Sequence, residues 1–150
     1  MQDGVQLKYG QIHGGKVSVP VTSLSQTITA QSGKFVYMNA GVATLNTDGT
    51  TSIFGFLEAP AGTASTDALA YNCIIDLTAV FRIPVDSGTY VEAMKGDTCD
   101  INITSNVQGA QLDASVENTL TVVGGDLVNN NYVDVMMTPA QWGSGVGVDA

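Results

Sequence analysis

The sequence is short of charge, and of positive charge above all. Of its 150 residues five are Lys or Arg, against 14 Asp or Glu, and charged residues make up 13% of the chain. Soluble domains usually carry ~25%. An acidic excess of this size repels nucleic-acid phosphates, so no nucleic-acid partner is expected. The chain also lacks a run of ~18 apolar residues, so we predict no transmembrane helix and no membrane partner.

Side chains that commonly perform catalysis or bind metal are scarce as well. His13 is the one histidine, and Cys73 and Cys99 are the two cysteines. A glycine-rich segment cannot hold an imidazole for a Ser-His-Asp system, and one His with two distant Cys lacks the ligand spacing of a zinc site. We therefore predict no enzyme, no cofactor and no metal site. Both cysteines lie in strand-like runs and are expected to be buried thiols, with a disulfide as the alternative.

Two patterns resemble chemical motifs without meeting their requirements. Residues 10–17, GQIHGGKV, match the glycine and lysine positions of a phosphate-binding loop, but Val17 stands where Ser or Thr would hold magnesium. Asp97 and Asp100 could form a carboxylate pair for acid–base chemistry. Because Asp beside a turn commonly accepts hydrogen bonds from backbone amides, we interpret this pair as structural and residues 10–17 as flexible.

Short apolar segments separated by turn residues make up most of the chain. About eight to ten such segments, with turn signals every ~8–12 residues, predict an all-β fold, a single small β-barrel or sandwich. Helix is restricted to two short candidates at residues 61–70 and 138–142. Asp48-Gly49 is predicted to be a hairpin turn. The predicted strands include residues 27–30, residues 34–38 continuing to 42–45, and residues 89–94, 98–104, 127–128 and 132–137.

Charge and glycine content divide the chain into three parts. Residues 1–34 hold three cations and one acid, net +2, whereas residues 35–150 hold two cations and 13 acids, net -11. Glycine is frequent at both ends, where it leaves the chain poorly able to order itself. We therefore predict an extended N-terminal arm at residues 1–20, a β-rich body at residues 21–142 and a flexible glycine-rich tail at residues 143–150.

The cationic arm is expected to dock on another acidic surface, either a second copy or a larger assembly. Apolar arm residues supply area to bury, the two arm lysines supply positive charge for acidic neighbours, and the single tryptophan is expected to anchor a subunit contact. The predicted contact residues are Val5, Leu7, Lys8, Tyr9, Ile12, Lys16 and Trp142.

The aromatic residues allow two interpretations. Phe35 with Tyr37, and Phe54 with Phe56, are spaced two apart, so each pair faces one side of its strand. Such pairs are typical of a β core. A platform on which sugar rings stack is the alternative, and it would make the protein a carbohydrate-binding β-sandwich.

Five motifs in the second half of the chain occupy strand and turn positions. They are FRIPV at 81–85, GTYVE at 88–92, KGDTCDI at 95–101, LTVVGG at 120–125 and YVDVM at 132–136. Together they resemble the small decoration, or cement, proteins of tailed-bacteriophage heads. The resemblance implies a small β-barrel with no enzymatic activity, which binds the assembled capsid at symmetry axes, often as a trimer, through an extended N-terminal arm.

The resemblance and the arm lead to the same expected function. The protein is expected to bind the major capsid protein and itself, as a homo-oligomer and specifically a trimer, and to stabilise the assembled shell. Its expected location is the virion, on the capsid exterior, after synthesis in the host cytoplasm without an export signal. The carbohydrate-binding β-sandwich, another virion or tail surface subunit, and an enzyme with acidic catalysis remain the alternatives.

Overall fold

The computed structural model describes residues 4–9, 15–20, 33–60 and 70–143. Helix in these ranges consists of two single 3₁₀ turns, at Glu92–Met94 and Pro139–Gln141. The all-β prediction is therefore confirmed. The strands of these ranges are β1 Gln6–Tyr9, β2 Lys16–Pro20, β3 Lys34–Asn39, β4 Val42–Leu45, β5 Gly55–Leu57, β6 Ala70–Ile74, β7 Val80–Ser87, β8 Thr98–Thr104, β9 Val107–Gln111, β10 Leu120–Gly125 and β11 Tyr132–Met137.

The first sheet closes into a ring. Its strand order is β1-β7-β11-β10-β8-β9, and a parallel pairing of β9 with β7 joins the last strand back to the second. Strands β7, β11, β10, β8 and β9 therefore form a closed five-stranded ring. β1 lies outside it, because β1 pairs with Val80–Arg82 at the start of β7 whereas β9 pairs further along, at Val85 and Ser87. Closure removes the exposed strand edges that an open sheet would leave.

The second sheet is antiparallel and packs against the ring. Its order is β2-β6-β5-β3-β4, and its outer strands β2 and β4 approach one another. Because successive strand residues point to opposite faces, Phe35 of β3 packs into the core shared with the ring, whereas Val36 packs into a second core on the far face. Both side chains are fully buried, so this sheet is covered on both sides.

Three phenylalanines occupy the junction between the two sheets. Phe35 meets Phe56 and Phe81 edge-on, with ring centroids 5.8 and 5.3 Å apart, while Phe56 and Phe81 stack at 4.7 Å. Such aromatic pairs contribute about 0.5–1.5 kcal/mol each beyond the area that they bury. The core prediction for Phe35 and Phe56 is confirmed, whereas Tyr37 and Phe54 are only half-buried.

A buried glutamine joins the two sheets by hydrogen bonds. Gln108 of β9 accepts from the Phe35 N–H through Oε1 at 2.8 Å. Its Nε2 donates to the Phe35 carbonyl at 2.8 Å and to the Asn46 carbonyl at 3.0 Å. The side-chain amide thus pairs with the backbone of β3 much as a neighbouring strand would.

Several local predictions are wrong in ways that the pairing explains. Residues 34–45 are not one continuous strand, because Ala40 and Gly41 adopt positive φ values of 52° and 80° and turn β3 into β4. Asp48-Gly49 is a turn but not a hairpin, because β4 and β5 each pair with β3 on opposite edges. Residues 89–94 contain a 3₁₀ turn in place of the predicted strand.

The described parts of the expected arm belong to the body. Residues 6–9 form β1 against β7, residues 16–20 form β2 against β6, and Val5 is buried in the shared core. In these ranges the backbone pairs with strands of the same chain, so the segment is not a separate arm there. The predicted short strand at residues 27–30, most of the helix candidate at 61–70 and the tail beyond Gly143 lie outside the described residues.

Candidate interaction surface

The N-terminal contact residues are distributed over both sheets. Val5 is 2% exposed, so its side chain is buried within its own chain and is not accessible to a partner. Leu7, Lys8 and Tyr9 lie in β1, where the backbone of Leu7 pairs with Phe81. Ile12 lies outside the described residues. β1 ends its sheet in the described strand order, and an edge strand is a surface to which another chain can add a strand. β2 also ends its sheet, but it approaches β4.

Lys16 has a partner within its own chain. Its Nζ lies 2.8 Å from the Glu58 Oε1, and both side chains are about 40% exposed (40% and 39%). An exposed ion pair of this kind contributes roughly 0–1 kcal/mol. Lys16 therefore helps to hold β2 on the body. It can bind an acidic group of another chain only when its ion pair with Glu58 breaks.

Other described cations are engaged in the same way. Arg82 and Asp134 form a bidentate pair, with Nε to Oδ1 at 2.8 Å, and the guanidinium lies 3.7 Å over the ring of Tyr132. Lys95 pairs with Glu92 at 2.8 Å. Exposed carboxylates such as those of Asp48, Asp97 and Asp113 therefore dominate the charge of the described surface.

Lys34 is a buried cation that the sequence did not reveal. Its side chain is fully buried, and its Nζ donates a hydrogen bond to the Pro60 carbonyl at 3.2 Å. Removal from water lowers the pKa of Lys34 to about 8. Lys34 therefore lies inside the fold and presents no side chain to a partner.

Trp142 is half-buried and tightly held. Its ring stacks on Phe54 with centroids 5.5 Å apart and an interplanar angle of 21°, and its indole N–H donates to the Phe54 carbonyl. The backbone beside it pairs with Ile53, whose N–H donates to the Gln141 carbonyl at 3.1 Å and whose carbonyl accepts from Gly143 at 2.9 Å. Trp142 therefore fixes the end of the described chain to the second sheet, and it also lines an open groove of about 260 Å³.

The loop between β10 and β11 exposes two large apolar side chains. Leu127 is 59% exposed and Val128 is 87% exposed, and we name these two residues the apolar tip. The prediction of a strand at 127–128 is wrong, because these residues form the turn of a hairpin. Turn residues on both sides, Gly124-Gly125-Asp126 before and three asparagines after, are the sequence signal that would have revealed it.

Hydrogen bonds hold the loop that carries the apolar tip. The Asp126 carboxylate accepts from the backbone N–H groups of Val128 and Asn129, both at 3.1 Å, and of Asn131 at 3.2 Å. These hydrogen bonds lower the pKa of Asp126, and the one from Asn129 has the largest effect. Asn130, at φ 54°, accepts from the Tyr90 N–H at 2.8 Å and donates to the Gly88 carbonyl at 2.9 Å. The loop is therefore ordered before any partner arrives.

The structural interpretation of Asp100 is confirmed. Its buried carboxylate accepts from three successive backbone N–H groups, those of Val116, Glu117 and Asn118, at 2.8, 3.0 and 2.8 Å. The neighbouring carboxylate of Asp100 raises the pKa of Glu117. Asp100 therefore anchors the loop before β10.

Both cysteines are buried free thiols, as expected. Burial raises the pKa of Cys73 to about 12, and likewise that of Cys99. The thiolate is the nucleophilic form, so neither thiol is activated at neutral pH. Within the described residues no three His, Cys, Asp or Glu side chains come together to hold a metal ion. The same residues contain no helix long and apolar enough to cross a membrane.

Compared with protein-family models, with curated proteins and with solved structures, the chain gives no match in any of the three.

Proposed function

We propose that this protein is a structural virion protein that binds the outer surface of an assembled phage capsid and stabilises it, as a trimer and without catalysing a reaction. The apolar tip is the observation that carries the proposal. A rigid loop that keeps Leu127 and Val128 in water loses little conformational freedom when a partner covers it. Contiguous exposed apolar patches are typical of protein contact sites, and Leu127 and Val128 are adjacent.

The first N-terminal strand supports the same proposal. β1 lies at the end of its sheet in the described strand order, so a capsid subunit or a second copy can extend that sheet through backbone hydrogen bonds. The proposed partners are therefore the major capsid protein and other copies of this chain. Repetition of modest contacts around a shell adds up, and a protein that binds only the assembled lattice stabilises it by mass action.

Apolar burial outweighs ion pairing in this contact. Fully covering a Leu or Val side chain contributes about 1.5–3 kcal/mol, whereas an exposed ion pair contributes about 0–1 kcal/mol. Lys16 is already paired with Glu58, which lowers its share further. We therefore expect Leu127 and Val128 to matter more for capsid binding than Lys8 or Lys16.

A binding assay on stripped capsids tests the proposal. The protein is added back to capsids that lack it, and the bound fraction is measured by sedimentation. Because the double variant Leu127→Ser with Val128→Ser removes the apolar contact, it should weaken binding by at least tenfold. Lys8→Gln should change binding little.

Val116→Ser is the matched control. Val116 is 79% exposed on a different loop, an exposure between those of Leu127 and Val128. This variant therefore removes an exposed apolar side chain without touching the tip, and it should bind normally. Equal binding of the tip variant and the unchanged protein would contradict the tip's role. Absence of binding to capsids, combined with binding to tails, would favour the tail surface subunit.

A further inference from the structure

The groove beside Trp142 is built differently from the rest of the surface. Its lining residues come from β3, from the segment before β5 and from the end of the described chain: Tyr37, Met38, Ser52, Ile53, Phe54, Trp142 and Gly143. Three are aromatic and none is charged. In a protein of net charge -9, an uncharged concave surface offers an anionic ligand no opposite charge to pair with.

The aromatic rings of this groove are fixed before any ligand binds. Trp142 stacks on Phe54, and its indole N–H is held by the Phe54 carbonyl. Backbone hydrogen bonds between Ile53 and the chain on both sides of Trp142 hold the same segment. The rings therefore present a preorganised apolar surface, which lowers the entropic cost of binding.

The polar groups and the size of the groove indicate which class of ligand it can bind. The hydroxyl-bearing side chains of Tyr37 and Ser52 lie in the lining beside the rings. The volume of about 260 Å³ is at or below the small end of the ~300–1,000 Å³ typical of small-molecule sites. A single pyranose ring has an apolar C–H face to pack on an aromatic ring and hydroxyl groups at its edge, so it matches both features.

We propose that the groove formed by Tyr37, Phe54 and Trp142 binds a neutral saccharide, one sugar ring at a time. This site is separate from the apolar tip and from β1, and it adds a second binding activity to the capsid contact. It would give the protein a glycan-binding surface whether or not the capsid proposal is correct.

The single tryptophan of the chain reports on this site directly. Intrinsic tryptophan fluorescence arises from Trp142 alone, and it should shift to shorter wavelength, and saturate, as a sugar ring displaces water from the groove. The probes are cellotriose, maltotriose, mannotriose and chitotriose, with sialyllactose as the anionic comparison and acetyl-trileucine amide as the apolar peptide. At least one neutral probe should bind with a dissociation constant of about 1 mM or tighter, and sialyllactose more weakly.

Two tyrosine variants locate the binding. Tyr37→Ala removes one wall of the groove and should weaken the neutral probe at least fivefold, while Tyr37→Phe, which keeps the ring, should weaken it less. Tyr71→Ala is the control, because Tyr71 is another half-buried tyrosine of the second sheet and does not line the groove. None of these variants should change capsid sedimentation.

Three outcomes would overturn the proposal. The first is a fluorescence spectrum that none of the neutral saccharides changes at about 20 mM, well above the expected constant. The second is saturable binding of acetyl-trileucine amide without saccharide binding, which would make the groove a peptide contact. The third is an equal loss of saccharide affinity in Tyr37→Ala and Tyr71→Ala, which would place the binding elsewhere.

Discussion

Replacing Gln108 with Leu should remove the side-chain hydrogen bonds that join the two sheets, and so lower the free energy of unfolding. The volume of the side chain stays nearly constant. Gln108 is fully buried and makes three hydrogen bonds across the junction, one to the Phe35 N–H and two to the carbonyls of Phe35 and Asn46. Leu cannot replace any of them. The Phe35 carbonyl keeps a second partner, the Asn46 N–H at 3.1 Å, so it is not left unsatisfied.

The expected cost follows from the groups that lose these partners. The Phe35 N–H and the Asn46 carbonyl each lose the bond from Gln108, and a buried backbone group without a partner costs about 1–3 kcal/mol. We therefore expect Gln108→Leu to lower the free energy of unfolding by about 2–6 kcal/mol. For a domain of this size each kcal/mol lowers the melting temperature by roughly 2–4 °C.

Urea unfolding followed by circular dichroism and by Trp142 fluorescence measures this loss. Gln111→Leu is the matched control, because Gln111 lies on the same strand and its side-chain oxygen is buried without a hydrogen-bond partner. That variant should change the free energy of unfolding by less than about 1 kcal/mol. A Gln108→Leu protein as stable as the Gln111→Leu protein would refute the role of Gln108 in joining the sheets.

Two further predictions concern buried charge. Because the pKa of Lys34 falls from 10.5 to about 8 on folding, Lys34 makes the unfolded chain bind more protons between these values and so favours the folded state increasingly as pH rises. The raised pKa values of Cys73 and Cys99 act in the opposite direction above about 9, so the test is a difference: measured by urea unfolding at each pH, the free energy of unfolding of the unchanged protein should rise between about pH 8 and 10 relative to that of Lys34→Met, which keeps both cysteines. Asp100→Asn should lower the free energy of unfolding by about 1.5–3 kcal/mol, since the backbone N–H groups of Val116, Glu117 and Asn118 lose a charged acceptor. Asp97→Asn, at an exposed carboxylate, should be neutral in the same assay, and equal losses in the two Asp variants would contradict the anchoring role.

The strand content was predictable because it depends on local patterns. Thr98–Thr104 alternates apolar and polar residues and forms β8 with the predicted bounds, and the mostly apolar segment Tyr132–Met137 forms β11 with the predicted bounds. The pairing of strands was not predictable in this way. Closure of the ring depends on β7 meeting β9 in parallel, and no local period encodes a contact between segments so far apart in the chain.

The candidate site was predictable only in part, because exposure depends on the tertiary structure. Leu127 and Val128 are apolar, as residues of a buried strand are, yet the turn residues around them place both side chains in solvent. Lysine is usually a surface residue, yet Lys34 is buried because β3 is covered on both faces. Trp142 was predicted to anchor a subunit contact. Within the chain it packs on Phe54, 88 residues away, and its contact with another subunit stays a prediction.

The rupture temperature of capsids with and without this protein tests the central claim most directly. Stripped capsids, capsids with the unchanged protein added back and capsids with the Leu127→Ser, Val128→Ser protein are heated in parallel, and release of the packaged DNA is followed with an intercalating dye. The account predicts that the unchanged protein raises the rupture temperature and that the tip variant, at the same concentration, raises it little. Rupture of bare and decorated capsids at the same temperature would contradict the claim that this protein stabilises the shell.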